Sequence, residues 1–113
     1  MSADIKQGIT VIVRLWRARV SQANCAAYLN YLEQTVFAIV GDIDGFIEAE
    51  ILRRDEADGV QLVIVSRWES MAAIRQYAGD TPEKAVVAAE AQAMLQSFAH
   101  DVEHFELARR STD

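Results

Sequence analysis

The sequence predicts an α+β sandwich: a four-stranded sheet with helices packed on it, in the element order β-α-β-β-α-β. Three observations lead there. Four stretches alternate apolar and polar residues with a period of two, and two others repeat apolar residues every three or four positions. These stretches fall in that order along 113 residues, a length for one domain. A hairpin signal, Asp58-Gly59, joins the middle two strands.

Residues 1–8 are polar and are expected to be flexible; the domain is placed at 9–108 and a polar tail at 109–113. The first strand is expected over 9–20. Ile9, Val11, Val13 and Leu15 point one way, and Thr10, Ile12, Arg14 and Trp16 the other. Ser21 is a good N-cap. Behind it Cys25, Tyr28, Leu29, Leu32, Val36, Ile39 and Val40 form one stripe of a helix of about five turns, which Gly41 ends. A loop at 42–45 leads to a second strand at 46–54, a hairpin loop at 55–59 and a third strand at 60–68. Ser70 caps a short helix over 71–78 that Gly79 stops. Thr81-Pro82 then restarts helix, with Thr as cap and Pro at the first helical position. That helix runs to Phe98 with a break near Ala88, and a fourth strand spans 101–108.

Two right-handed crossovers give a four-stranded antiparallel sheet of order 4-1-3-2, within which strands one and three are placed side by side and parallel. Helices cover one face. The other carries Ile12, Trp16, Ile64 and Trp68, an apolar patch too large to leave wet. A second copy packing sheet to sheet is the economical cover, so a homodimer is expected.

Composition excludes several classes. Lys and Arg total 11 against 17 Asp and Glu, a formal charge of -6. That lacks the electrostatic footprint of a nucleic-acid or anionic-membrane binder. The single cysteine, Cys25, cannot form an internal disulfide and reads as a small buried hydrophobe. The apolar run over 9–16, broken by Arg14, is too short for a signal segment or a membrane span. A cytoplasmic protein is expected, and abundant Ala and Arg point to a GC-rich bacterial genome. No Gly-rich phosphate loop or Ser/His/Asp set is present, and no His has ligand spacing with a second metal-binding residue beyond weak acidic pairs. No cofactor or metal is therefore expected.

Several segments carry a family resemblance. They are Val13-Arg14-Leu15-Trp16, Tyr28 with Tyr31-Leu32, Asp44-Gly45-Phe46 and Arg67-Trp68-Glu69-Ser70. Tyr77-Ala78-Gly79, Ala85-Val86 and His104-Phe105-Glu106-Leu107 follow. In this order, over 9–108, the chain resembles the antibiotic-biosynthesis-monooxygenase family of dimeric α/β barrel proteins. The resemblance implies a ferredoxin-like fold and a homodimer with a shared barrel. Some members of that family oxidise polycyclic phenols with molecular oxygen and no cofactor; others degrade haem. In the phenol oxygenases the strand-three Trp, here Trp68, works with an Asn four residues earlier and an Arg about twenty later. Those positions are Ile64 and a point near Ala88. The haem-degrading branch uses a His ligand after strand three, and 69–99 hold none.

The expected function is oxidation of a small hydroxylated aromatic or quinol with O2. The alternative is a non-catalytic small-molecule-binding or stress-related dimer. Arg14, Trp16, Ser66 and Trp68 are expected to share a face, joined by His104 and Glu106 if Phe105 and Leu107 face the helices. A neutral His104 would take a phenolic proton. Arg14 would hold the phenolate or a superoxide-like species, and the indoles would stack the substrate. The competing structural role is a network in which Arg14, His104 and Glu106 satisfy one another inside the barrel. Tyr28, Tyr31 and Tyr77 either line a pocket between helices and sheet or are core. His100 is expected in a solvated loop.

Overall fold

The protein is described here from a computed structural model over residues 10–112. The expected flexible stretch 1–8, with Ile9, and Asp113 lie outside the described residues. β1 (Ile12–Val20) is the centre of the sheet. After a turn in which Ser21 Oγ accepts the Asn24 amide, α1 (Cys25–Tyr31) begins. It continues through a π-helical segment, Leu32–Val36, into α2 (Phe37–Gly41). β2 (Phe46–Glu56) and β3 (Gly59–Trp68) form a hairpin whose ladder closes at Glu56 and Gly59. α3 (Met71–Ala78) follows, its first turn capped by Ser70 Oγ on the Ala73 amide and its end marked by Gly79 at φ 83°. α4 (Ala89–Met94), β4 (Leu95–Phe98) and β5 (Glu103–Glu106) complete the chain.

The fold is the expected α+β, ferredoxin-like sandwich, but three details differ. β1 pairs with β3 antiparallel, with Arg14 opposite Ser66 and Trp16 opposite Ile64. The expected parallel neighbours are therefore wrong. A crossover from β1 to β2 makes those two parallel, and the hairpin then sends β3 back between them.

The covered face is also the opposite of the expected one. Ile12, Val20, Leu62 and Trp68 are buried in the two clusters that include the helices, Trp16 and Ile64 pack against them, and Ala18 is buried on the same side. The open face carries Val13, Leu15, Val63 and Phe105. The reason lies at the far end of β1. One side ends in Ala18 and Val20, which are buried; the other ends in Arg17 and Arg19, whose charges need water and carboxylates. Two adjacent same-face charges at that end are far cheaper to leave in water than to bury, so the face ending in Ala18 and Val20 is the one covered.

The third difference is at residues 81–88. These do not form the expected helix but a single turn, closed by Lys84 N–H on Thr81 O at 3.0 Å, and then an extended strap. Its groups bond to distant backbone: Ala85 N–H donates to His100 O at 2.9 Å, and Val102 N–H to Glu83 O at 2.7 Å. Lys84 also pairs with Asp101 at 2.9 Å. Proline at a helix start is a local preference of modest size, and these long-range bonds override it. The same bonds hold residues 100–102 off the ladder, past Ala99, whose N–H still donates to Arg17 O at 2.9 Å. The last strand is therefore split into β4 and β5, both antiparallel to β1, where a helix end and one strand were expected.

Candidate active site

Three side chains stand in a row across the covered face because their strands are in register. Ser66 on β3, Arg14 on β1 and His104 on β5 are successive cross-strand partners. Helix 25–41 packs over this row, and its stripe positions Tyr28 and Leu32 are buried beneath it. Between sheet, helix and strap lies a cavity. Arg14, Trp16, Ser66 and Trp68 line its floor, Tyr28, Tyr31 and Val36 its roof, and Tyr77 with residues 85–88 its side. The π-helical segment contributes Leu32 and Val36 to the lining, and such wide turns recur at functional sites.

The cavity offers about 80 Å³ to the centres of water molecules. A single water needs ~10–15 Å³ of such room, so the cavity holds several, the scale of one or two aromatic rings.

Arg14 is 6% exposed. Its Nη1 donates to Pro82 O at 2.8 Å and lies 2.9 Å from His104 Nε2. A guanidinium has no acceptor, so His104 must accept, which makes it a neutral imidazole protonated on Nδ1. Burial and then the charge of Arg14 hold the His104 pKa below its usual value. The Tyr77 ring centroid lies 6.0 Å from the guanidinium carbon. Burial lowers the Arg14 pKa, yet a guanidinium stays charged at neutral pH. Burial raises the phenol pKa of Tyr28 and Tyr77, with Arg14 pulling Tyr77 the other way. Both are neutral donors at neutral pH.

The two indoles are tied down differently. Trp68, 1% exposed, donates Nε1–H to Ser66 Oγ at 2.8 Å, and Phe46 meets its ring edge-on at 5.2 Å. Trp16 donates to Ala99 O at 2.6 Å, in the segment where the last strand breaks.

The structure thus places Arg14, Trp16, Tyr28, Ser66, Trp68 and Tyr77 around one cavity. His104 is not among its lining residues; it stands behind Arg14 with its Nε2 lone pair occupied. Direct access of His104 to a ligand, as the sequence led us to expect, is blocked in this arrangement. Phe105 faces the open side, so the expected route by which His104 would share a face with Arg14 fails. The two share a face nonetheless, the helix-covered one. Glu106 is exposed opposite Ile12. His100 is exposed, its ring against Phe98. Pro82 O and residues 85–88 were missed, because a Thr-Pro cap signal hid an apolar, β-branched run, Ala85-Val86-Val87-Ala88, better suited to extended chain. Ile64 and Ala88 both line the cavity. Among the described residues no group of three or more His, Cys, Asp or Glu could hold a metal ion, and no helix is long and apolar enough to cross a membrane.

The family model for antibiotic biosynthesis monooxygenase matches residues 9–89 of the chain. Comparison with curated proteins finds no match. Among solved structures, the chain is similar to SnoaB, a cofactor-independent oxygenase from Streptomyces nogalater. That match has 20% identity and TM-score 0.59, covering 90% of this chain and 95% of that one. It is similar to the ActVA-Orf6 monooxygenase of Streptomyces coelicolor in complex with nanaomycin D, at 15% identity and TM-score 0.54, covering 99% and 97%. It is also similar to a heme-degrading protein from Mycobacterium tuberculosis, at 17% identity and TM-score 0.57, covering 94% and 100%. At these identities the likeness is one of fold.

Proposed function

The chain belongs to the antibiotic biosynthesis monooxygenase family, and on that premise we propose that it is a cofactor-independent monooxygenase acting on a small hydroxylated aromatic or quinol. The observation that carries this reading is the cavity itself: aromatic walls around one buried guanidinium. In the proposed reaction a phenol with a free ring C–H and one O2 become a quinone and one water. The ring supplies all four electrons, so no external reductant enters. One oxygen atom ends as the new carbonyl and the other leaves as water.

The residues have distinct parts in this scheme. Trp16, Trp68 and the tyrosines hold the ring flat. Arg14 stabilises the phenolate and the charge that passes to oxygen when the ring carbon forms its C–O bond. His104 is the proton acceptor, but only by exchange: as Arg14 is drawn to the ligand oxygen it releases Nε2. Ser66 and Tyr77 position the ligand. The open sheet face, with Val13, Leu15, Val63 and Phe105, is covered by a second copy in a homodimer. A reducing cytoplasm suits the lone buried Cys25.

A second reading is a binding protein of the same fold. It is favoured by Ile64 and Ala88, which stand in the cavity where the resemblance led us to look for Asn and Arg. Oxygen uptake by cofactor-free protein with a panel of naphthols and anthrols separates the two. The enzyme consumes one O2 per quinone formed; uptake no faster than the buffer blank on every phenol leaves the binding protein.

A further inference from the structure

We propose that the cavity takes its ligand as an anion, an oxyanion on a one- or two-ring aromatic held between the Arg14 guanidinium and the Ser66 hydroxyl. This rests on the cavity being the ligand site, and not on turnover.

The argument begins with charge. Arg14 is the one charged residue that lines the cavity. Every other arginine that forms an ion pair does so at the surface: Arg17, Arg19, Arg53, Arg54 and Arg67 all face carboxylates. Arg14 has none among the described residues. Its two partners, a carbonyl and a neutral imidazole, carry no net charge. A buried cation without a counter-charge is expensive to hold, and a bound anion supplies what the protein withholds.

Donor geometry points the same way. The Nε–H and Nη2 groups of Arg14 have no partner among the described residues, yet no polar side-chain atom there is both sealed and unpartnered. These donors therefore face open space, and the space Arg14 lines is the cavity. Ser66 stands directly across the ladder from Arg14. Its oxygen already accepts the Trp68 indole at 2.8 Å. No acceptor among the described residues takes the Ser66 hydrogen, so it too is offered to the void. Tyr28 and Tyr77 add phenolic donors. A site with several donors, a fixed positive charge and no carboxylate recognises an oxyanion and leaves a neutral alcohol underpaired.

A carboxylate and an ionised ring hydroxyl offer the same chemistry, so both are tested. Calorimetric titration at about pH 8, where carboxylates are ionised, would compare 2-naphthoate, a nitronaphthol ionised at that pH, and neutral 2-naphthylmethanol. The first two are expected to bind about 10- to 100-fold tighter than the alcohol, as charge-assisted hydrogen bonds imply. A preference confined to naphthoate makes the ligand a carboxylate, and one confined to the naphtholate makes it an ionised phenol. Arg14→Gln should erase the preference, bringing both anions down to about the affinity of the alcohol measured on the same variant. Ser66→Ala should reduce it in part, and carries the test if Arg14→Gln fails to fold. Equal affinity for anion and alcohol, a preference that survives both substitutions, or no binding of any of the three overturns the proposal. Oxygen is not consumed in this measurement, so a protein inert toward phenols still gives an answer.

Discussion

The two faces of one sheet handle charge in opposite ways. On the open face the arginines are paired: Arg17 with Glu103 at 2.9 Å, Arg67 with Glu50 at 3.0 Å and Arg19 with Asp58 at 3.0 Å. Pairs of this kind, screened by solvent, contribute little to stability and serve mainly to keep the rim solvated. On the covered face Arg14 sits at 6% exposure with neutral partners, while Arg53, at the exposed end of that face, pairs with Asp55. Arg14, Arg17 and Arg19 share one strand, β1. The difference teaches where to look for chemistry. Charge that is screened and balanced is surface, whereas charge that is buried and left unbalanced is held for something not yet bound.

That contrast can be broken from the covered side first. His104→Ala removes the group behind Arg14, and turnover on an active phenol is expected to fall by about 10²–10⁴-fold, the usual worth of general acid–base catalysis. A purely bracing role predicts instead a loss of roughly 1–3 kcal/mol in stability with turnover per folded molecule unchanged. Steady-state kinetics and urea unfolding on the one variant distinguish these outcomes.

Trp68→Ala tests the same face for packing. The indole is 1% exposed and wedged against Phe46. Its loss should cost about 3–5 kcal/mol, seen as a lower urea midpoint. It also frees the Ser66 oxygen that Trp68 now occupies.

From the open side, Phe105→Glu should leave the fold intact and weaken self-association. Phe105 is 53% exposed in the single chain, so the fold loses little. Two new carboxylates brought together across a symmetric interface cost several kcal/mol, on the order of 10²–10³-fold in the dimer dissociation constant. Sedimentation of native and variant proteins reads it. A native protein that sediments as a monomer at micromolar concentration removes the dimer altogether.

The smallest effect sharpens the picture of the buried row. His104 has a lowered pKa in the folded state, so the unfolded chain binds the proton more readily. Its contribution to stability is complete above the unfolded value of about 6.5 and is lost as pH falls through the lower, folded value. Thermal unfolding followed downward from neutral pH should therefore fall less steeply in His104→Gln than in the native protein. Parallel curves would show that His104 does not titrate differently on folding.

Much of this molecule follows from local rules. Alternation in β1 and β2 and the apolar run of β3 placed β2 and β3 within two residues at each end and β1 within three. The Ser70 cap was recognisable because it is a short-range contact between a side chain and nearby backbone, and the Asp58-Gly59 turn because glycine takes the positive φ it needs, here 153°. The residue types around the cavity were also visible, since Arg14, Trp16, Ser66 and Trp68 share a parity on strands that must be neighbours. Alternation defines two faces, however, and does not say which one the helices cover. The answer depended on Ala18 and Val20 set against Arg17 and Arg19, and on helices distant in sequence. The strap is a stronger case. Thr81-Pro82 obeys every local rule for starting a helix and does make one turn, Lys84 N–H to Thr81 O at 3.0 Å, but bonds to Arg14, His100 and Val102 draw the chain beyond it into extended form. Arg14's solitude is likewise a property of three dimensions. A sequence with 17 acidic residues offers many candidate partners, and only the packed chain, by carrying those that form ion pairs to the surface, leaves the buried Arg14 without any among the described residues.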